Sequence, residues 1–235
     1  MNSGTLAISV AMVMASAAVA SAAESIGKAA IIENTVTGTL DGAASAAPLQ
    51  RGDNLFANQK IETASDGKAQ LLFSDQSALS ISPNSTVILD KFVYDPAPNV
   101  GTVVLNTVAG AFRFVGGTAD KTAGSSYEVK TPVGTIGIRG TLFDWQITGD
   151  QLSAVLHEGA IDVCLTGQGC ASMTQPGTYV LTRGTKLSGI QRWDGPSGEA
   201  RTVAPPPTTT DTLKQQQIQQ PPSAEASRRR NPNGI

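Results

Sequence analysis

Residue types that do chemistry are sparse in this chain and stand apart from one another. Histidine, the usual general base and a common metal ligand, occurs once in 235 residues, as His157. A catalytic triad or a hydrolytic metal centre needs partners brought to such a residue. His157 instead lies opposite Leu156 beside Glu158-Gly159, where an exposed turn histidine is the expected reading. The carboxylates Asp53, Asp66, Asp75, Asp95 and Asp150 each sit next to Gly, Ser or Pro, the setting of turn residues that hydrogen-bond their own backbone. Gly134-x-x-Gly137-x-x-Gly140 superficially resembles a dinucleotide loop, but the spacing is wrong and strand rather than helix follows it, so no helix N-terminus faces a pyrophosphate. No catalytic residue, cofactor or metal is therefore expected. A paired-carboxylate glycosidase is the one enzymatic alternative that a sequence leaves open, since such partners meet only in space.

The two cysteines, Cys164 and Cys170, are separated by Leu-Thr-Gly-Gln-Gly, which reads as a hairpin turn between residues 161–165 and 171–174. Two thiols and one distant histidine do not make a tetrahedral metal set. In an oxidising compartment a disulfide across the turn is the natural reading; a redox pair, which lacks a C-x-x-C helix, and free thiols are the alternatives.

The elements that position these residues centre on one stretch, residues 127–147. Its apolar residues alternate as in a half-buried strand, but the parity changes twice: Tyr127, Val129 and Val133, then Ile136 and Ile138, then Phe143, Trp145 and Ile147. Both changes fall at glycines. A slip of one residue turns every side chain to the other face, so Gly134 and Gly140 are read as bulges or corners of a bending strand. Gly159, between Leu152/Ala154/Leu156 and Ile161/Val163/Leu165, and Gly110, before Phe112 and Phe114, repeat the device, with Arg113 left on the opposite face. Arg139 points away from Ile136 and Ile138 just before a corner, the candidate partner contact, because Arg is enriched in interface hot spots.

Residues 26–40 read as a first strand pair. From Ile61 onwards short strands recur every ten or so residues between turn formers, and no segment carries a sustained 3.6-residue period. The class is all-β, with open edges that suit β-augmentation.

Thr131-Pro132, Ile136-x-Ile138-Arg139-Gly140-Thr141-x-Phe143 and Val155-x-x-Glu158-Gly159-x-Ile161-x-Val163 resemble the signature of the FecR-type periplasmic domain. Upstream, Gly52-Asp53, Ile61-x-Thr63, Gly67-x-Ala69-x-Leu71-x-Phe73-x-Asp75, Leu79-x-Ile81 and Ser85-x-Val87-x-Leu89 follow in that family's order, and Gln175-Pro176-Gly177 stands where its closing strand begins. The resemblance spans residues 49–181. It implies a twisted β-solenoid-like roll, with a β-sandwich as the alternative that strand spacing also fits. It further implies sensing of an outer-membrane receptor by the periplasmic domain and control of a sigma factor by a cytoplasmic N-terminal region.

The ends set the expected domain limits. Residues 6–23 form an uncharged apolar run closing on Ala20-Ser21-Ala22, so residues 1–23 read as a cleaved signal peptide, with an uncleaved membrane anchor as the alternative. Residues 24–195 form the folded part. Residues 196–235 lack aromatics and carry Pro and Gln runs, the composition of a disordered tail. The protein is expected in the periplasm or secreted. Only five residues precede the apolar run, so the sigma-factor-gripping segment has no counterpart, and a stand-alone binding or scaffolding module of the envelope is the expectation. A signal-relay subunit with a separate membrane partner and an envelope-polymer binder are the alternatives. An envelope protein is the expected partner. Formal net charge is −2 without a basic face, which argues against nucleic acid. The Arg228-Arg229-Arg230 cluster is the place for contact with anionic polymers or a membrane surface.

Overall fold

The computed structural model describes residues 24–194; the proposed signal peptide, the tail and its three arginines lie outside the described residues. Within them the chain is all-β and contains no helix. In chain order the strands are β1 Gly27–Glu33, β2 Val36–Thr39, β3 Ala47–Pro48, β4 Asn54–Leu55, β5 Gln59–Thr63, β6 Lys68–Phe73, β7 Ala78–Ile81, β8 Thr86–Asp95, β9 Val100–Val115, β10 Ser126–Thr131, β11 Gly134–Thr148, β12 Gln151–Leu165, β13 Cys170–Met173, β14 Thr178–Arg183, β15 Lys186–Leu187 and β16 Gln191–Arg192.

Three long strands, β9, β11 and β12, organise the rest because each belongs to two half-sheets. In the first, the run is β3-β2-β5-β8, the first half of β9, β10, the first half of β11, the second half of β12, then β13. In the second, the run is β4-β1-β6-β7, the second halves of β9 and β11, the first half of β12, then β14, whose far edge carries β15 and β16. The change of half-sheet falls in β9 at Gly110 (φ +105°), in β11 at Gly140 (φ +62°) and in β12 at Gly159 (φ +79°). These are left-handed conformations that a Cβ disfavours, which lets glycine absorb the extra residue where the strand turns. Register between β11 and β12 shifts at the same place, from Arg139 opposite Ala160 to Leu142 opposite Glu158.

The half-sheets face each other across the core. Phe73 stacks on Phe92 with ring centroids 5.3 Å apart, and Phe114 tilts against Tyr127 at 6.3 Å. Phe112, Trp145 and Phe143 stack in series, all at most 1% exposed. The Trp145 indole N–H donates to Thr107 Oγ1, the partner a buried indole requires. Each large apolar side chain buried here contributes about 1.5–3 kcal/mol.

Two expectations need correction. Residues 127–147 are not one bent strand: Thr131 and Gly134 pair across a two-residue turn, Pro132-Val133, and the chain reverses. Such a turn brings residues of opposite parity face to face, Val129 with Ile136 and Tyr127 with Ile138, so it produces the same parity change as a bulge. Thr131 Oγ1 holds the turn by accepting the Val133 and Gly134 amides. Gly134 itself lies against the Cys164 carbonyl oxygen, 2.1 Å from where a Cβ would sit. The first strand pair also fails: β1 pairs with β4 and β6, β2 with β3 and β5, because the turn at Asn34 (φ +55°) sends the chain from one half-sheet to the other.

Candidate functional site

An open cleft of about 640 Å³ lies on the outer face of the first half-sheet. One wall is the loop from Asp120 to Ser126, which carries the chain from β9 to β10. The floor and opposite wall are Gly137, Ile138, Arg139 and Gly140 of β11, with Asp162 of β12. Because β10 runs parallel to the first half of β9, no tight turn can join them. The second half of β9 and the loop make the crossover, and the loop is thereby left standing beside the sheet.

That loop is held firmly from below. Asp75 is fully buried and accepts the Ser77 amide, the Ser77 hydroxyl and the Tyr127 hydroxyl; its own carbonyl accepts the Thr118 amide. Burial, reinforced by the bond to Asp75, pushes the Tyr127 phenol well above its ordinary value, so it stays a donor. Asp120, 7% exposed, accepts the Thr141 amide at Oδ2, while its Oδ1 has no partner among the described residues. Burial raises its carboxyl above the usual range; the Thr141 amide and Lys121 oppose this, and the charge of Asp75 adds to it. Asn99 donates to the Thr118 carbonyl, and Ser125 Oγ accepts the Gly101 amide.

Arg139 stands at the rim with 77% of its side chain exposed. It donates to Asp162 Oδ2 (2.9 Å), and Ser172 donates to Oδ1 of the same carboxylate (2.6 Å). This single guanidinium contact leaves its other N–H groups facing outward. Exposed pairs of this kind contribute little to stability, so the position of Arg139 is better read as presentation than as support.

A second polar cluster lies on the outer face of the other half-sheet. Asp144, 1% exposed, receives a bidentate bond from Arg113 directly opposite (Nε 2.6 Å, a terminal nitrogen 2.8 Å), and His157 Nε2 donates to its Oδ2 at 2.9 Å. Burial works to raise the Asp144 carboxyl, but the bonds from Arg113 and His157 outweigh it, and the net position is below the ordinary range. His157 also meets the edge of Trp193, with ring centroids 5.2 Å apart. The expected exposed turn histidine is thus corrected: it is largely covered, because the corner at Gly159 turns its side chain onto Asp144 and β16 brings Trp193 across it. Sequence reading missed Asp144, which stands mid-strand between Phe143 and Trp145; a carboxylate there, on the face of Arg113, was the available signal.

Cys164 and Cys170 are opposed in the β12–β13 ladder and joined by a disulfide. They are 25 and 31 residues in sequence from Arg139 but on the same outer face, two ladder positions beyond Asp162 and Ser172.

Residues 59–162 match the model of a family described as FecR protein. No curated protein matches the sequence. Among solved structures the fold is similar to two crystal structures of a candidate anti-sigma factor from Parabacteroides distasonis. Their TM-scores are 0.48 and 0.47, with 12% and 11% identity. Each alignment covers 57% of this chain and 60% of that one, so this chain spans about three-fifths of their length.

Proposed function

We propose that the domain is a non-catalytic protein-binding module of the cell envelope, working in cell-surface signalling of FecR type, with the Arg139 cleft as its contact surface. The observation that carries this reading is one of coincidence: every residue lining the cleft, from Asp120 to Asp162, falls inside the span that matches the FecR family model. The exposed Arg139 on a rigid ladder supports a recognition role, since hot-spot arginines present a planar donor fork at little conformational cost. Export behind residues 1–23, with a folded part over 24–195, belongs to the same reading. A relay role alongside a separate membrane partner is what the FecR match favours over plain scaffolding.

The test is photo-crosslinking in living cells from an artificial residue at position 139, followed by mass spectrometry. A discrete envelope protein captured from 139, and not from the opposite face at position 183, is the expected result. Capture of peptidoglycan fragments alone, or equal products from both faces, overturns it. N-terminal sequencing of the mature protein tests export: an intact Met1 on detergent-extracted protein would mean a retained anchor.

A further inference from the structure

Gly137 is a glycine without a structural reason. It sits in the middle of β11, paired on both sides, with Glu128 opposite in β10 and Asp162 opposite in β12. Its φ is not in the left-handed region, and a Cβ would meet nothing nearer than Asp162 Cβ at 3.8 Å, an ordinary contact. A glycine in a strand interior weakens the strand relative to alanine, so one that is required neither by conformation nor by space points to another body approaching the backbone. Gly137 is the floor of the cleft. The cleft's volume, about 640 Å³, falls within the roughly 300–1,000 Å³ of ligand sites.

Two further features say what fits. Arg139 and Lys121 bring cationic groups to one end of the cleft; Arg139 has spare donors, and Lys121 has no ion pair among the described residues. Glu128 stands beside the floor in β10, whereas the Asp162 carboxylate is already held by Arg139 and Ser172, so a negative group on the occupant is better placed at the Arg139–Lys121 end than over Gly137. Resting on the reading of the cleft as a protein contact, we propose that it holds an extended segment of a partner protein that crosses the sheet over Gly137 and places a carboxylate side chain against Arg139 and Lys121.

The experiment uses the full chain, isotope-labelled, and two blocked hexapeptides, one alternating threonine with glutamate and the other threonine with lysine. The acidic peptide at millimolar concentration is expected to shift the amide resonances of Gly124, Gly137 and Gly140, and the basic one to leave them in place. Gly137→Val has room for its side chain and is expected to keep the melting temperature while weakening the acidic peptide about tenfold or more. Lys121→Glu with Arg139→Glu leaves the floor untouched and is expected to abolish the shifts. Equal response to both peptides, an unchanged affinity in either variant, a Gly137→Val chain that does not fold, or shifts produced only by a peptidoglycan disaccharide overturns the proposal. Should the peptides fail while position 139 still crosslinks a discrete protein in cells, the segment proposal falls and the binding-module reading stands; failure of both removes both.

Discussion

Gly159 packs so closely on Gly140 that a Cβ at position 159 would lie 2.1 Å from the Gly140 carbonyl oxygen. The two corners are therefore one joint: β11 and β12 change half-sheet side by side, and the bare Gly159 leaves room for the Gly140 carbonyl. The consequences of substitution differ. At Gly140 a Cβ meets the Lys121 side chain at 2.8 Å, which can swing away, so Gly140→Ala is expected to cost about the 1–2 kcal/mol of its left-handed backbone. Gly140→Val, being β-branched, costs more. At Gly159 the obstacle is main chain, so Gly159→Ala adds a clash to the same backbone strain and is expected to cost more than about 3 kcal/mol. Denaturant melts of the variants check the order. Equal costs at 140 and 159 would mean that the joint is not nested as described.

Asp144 is tied to Arg113 by two hydrogen bonds and to His157 by a third. Removing one partner of a buried pair leaves the other charge without compensation, at about 3–5 kcal/mol for Asp144→Ala. The pH dependence follows from a carboxyl whose folded-state value is depressed. Its contribution is complete above the unfolded carboxylate range, near pH 4, and is lost as pH falls through the lower folded value. Acid titration of stability is expected to show wild type and Asp144→Ala converging at the acid end, measured by chemical melts at several pH values. A gap that stays constant down to the lowest pH would assign the cost to packing and not to the ion pair.

The Cys164–Cys170 bridge closes a loop of only five intervening residues on an edge strand. A chain-entropy account gives about 2 kcal/mol for so short a loop. Replacing both cysteines by serine is expected to lower stability by that amount and leave the fold intact, because β13 remains a hairpin partner of β12. Thiol labelling of unreduced protein checks the bridge itself: full labelling before reduction is the result that would rule it out.

The strands were legible because alternation is local: most ladder faces of β6 to β12 follow directly from period-2 patterning, and Gly110, Gly140 and Gly159 stood out as parity breaks. The hairpin at Pro132-Val133 did not, since a two-residue turn and a one-residue bulge change parity alike and only pairing separates them. The cleft was half visible. Arg139 could be marked by its orientation, but Asp120 and Lys121 reach it through a crossover loop whose path depends on the parallel pairing of β9 and β10, a non-local fact. The Asp144 cluster was hidden for the same reason, as Arg113, Asp144 and His157 come from three strands and meet only through register.

Asp120 reverses the sign seen at Asp144. Its carboxyl lies above the ordinary range because burial disfavours the charged form, with the Thr141 amide and Lys121 compensating only in part and Asp75 adding repulsion. A carboxyl raised in the folded state is a burden wherever it is ionised in both states. The penalty is complete above the folded value and disappears below the unfolded value near pH 4, so acidification through that interval relieves it. Asparagine keeps an oxygen for the Thr141 amide and removes the charge. Asp120→Asn is therefore expected to be more stable than wild type at neutral pH, with the advantage shrinking as pH falls toward 4. Paired thermal melts across that range check it. An Asn variant less stable than wild type at neutral pH would show that the Asp120 charge is needed where it stands, held by the Thr141 amide and Lys121 more strongly than burial opposes it.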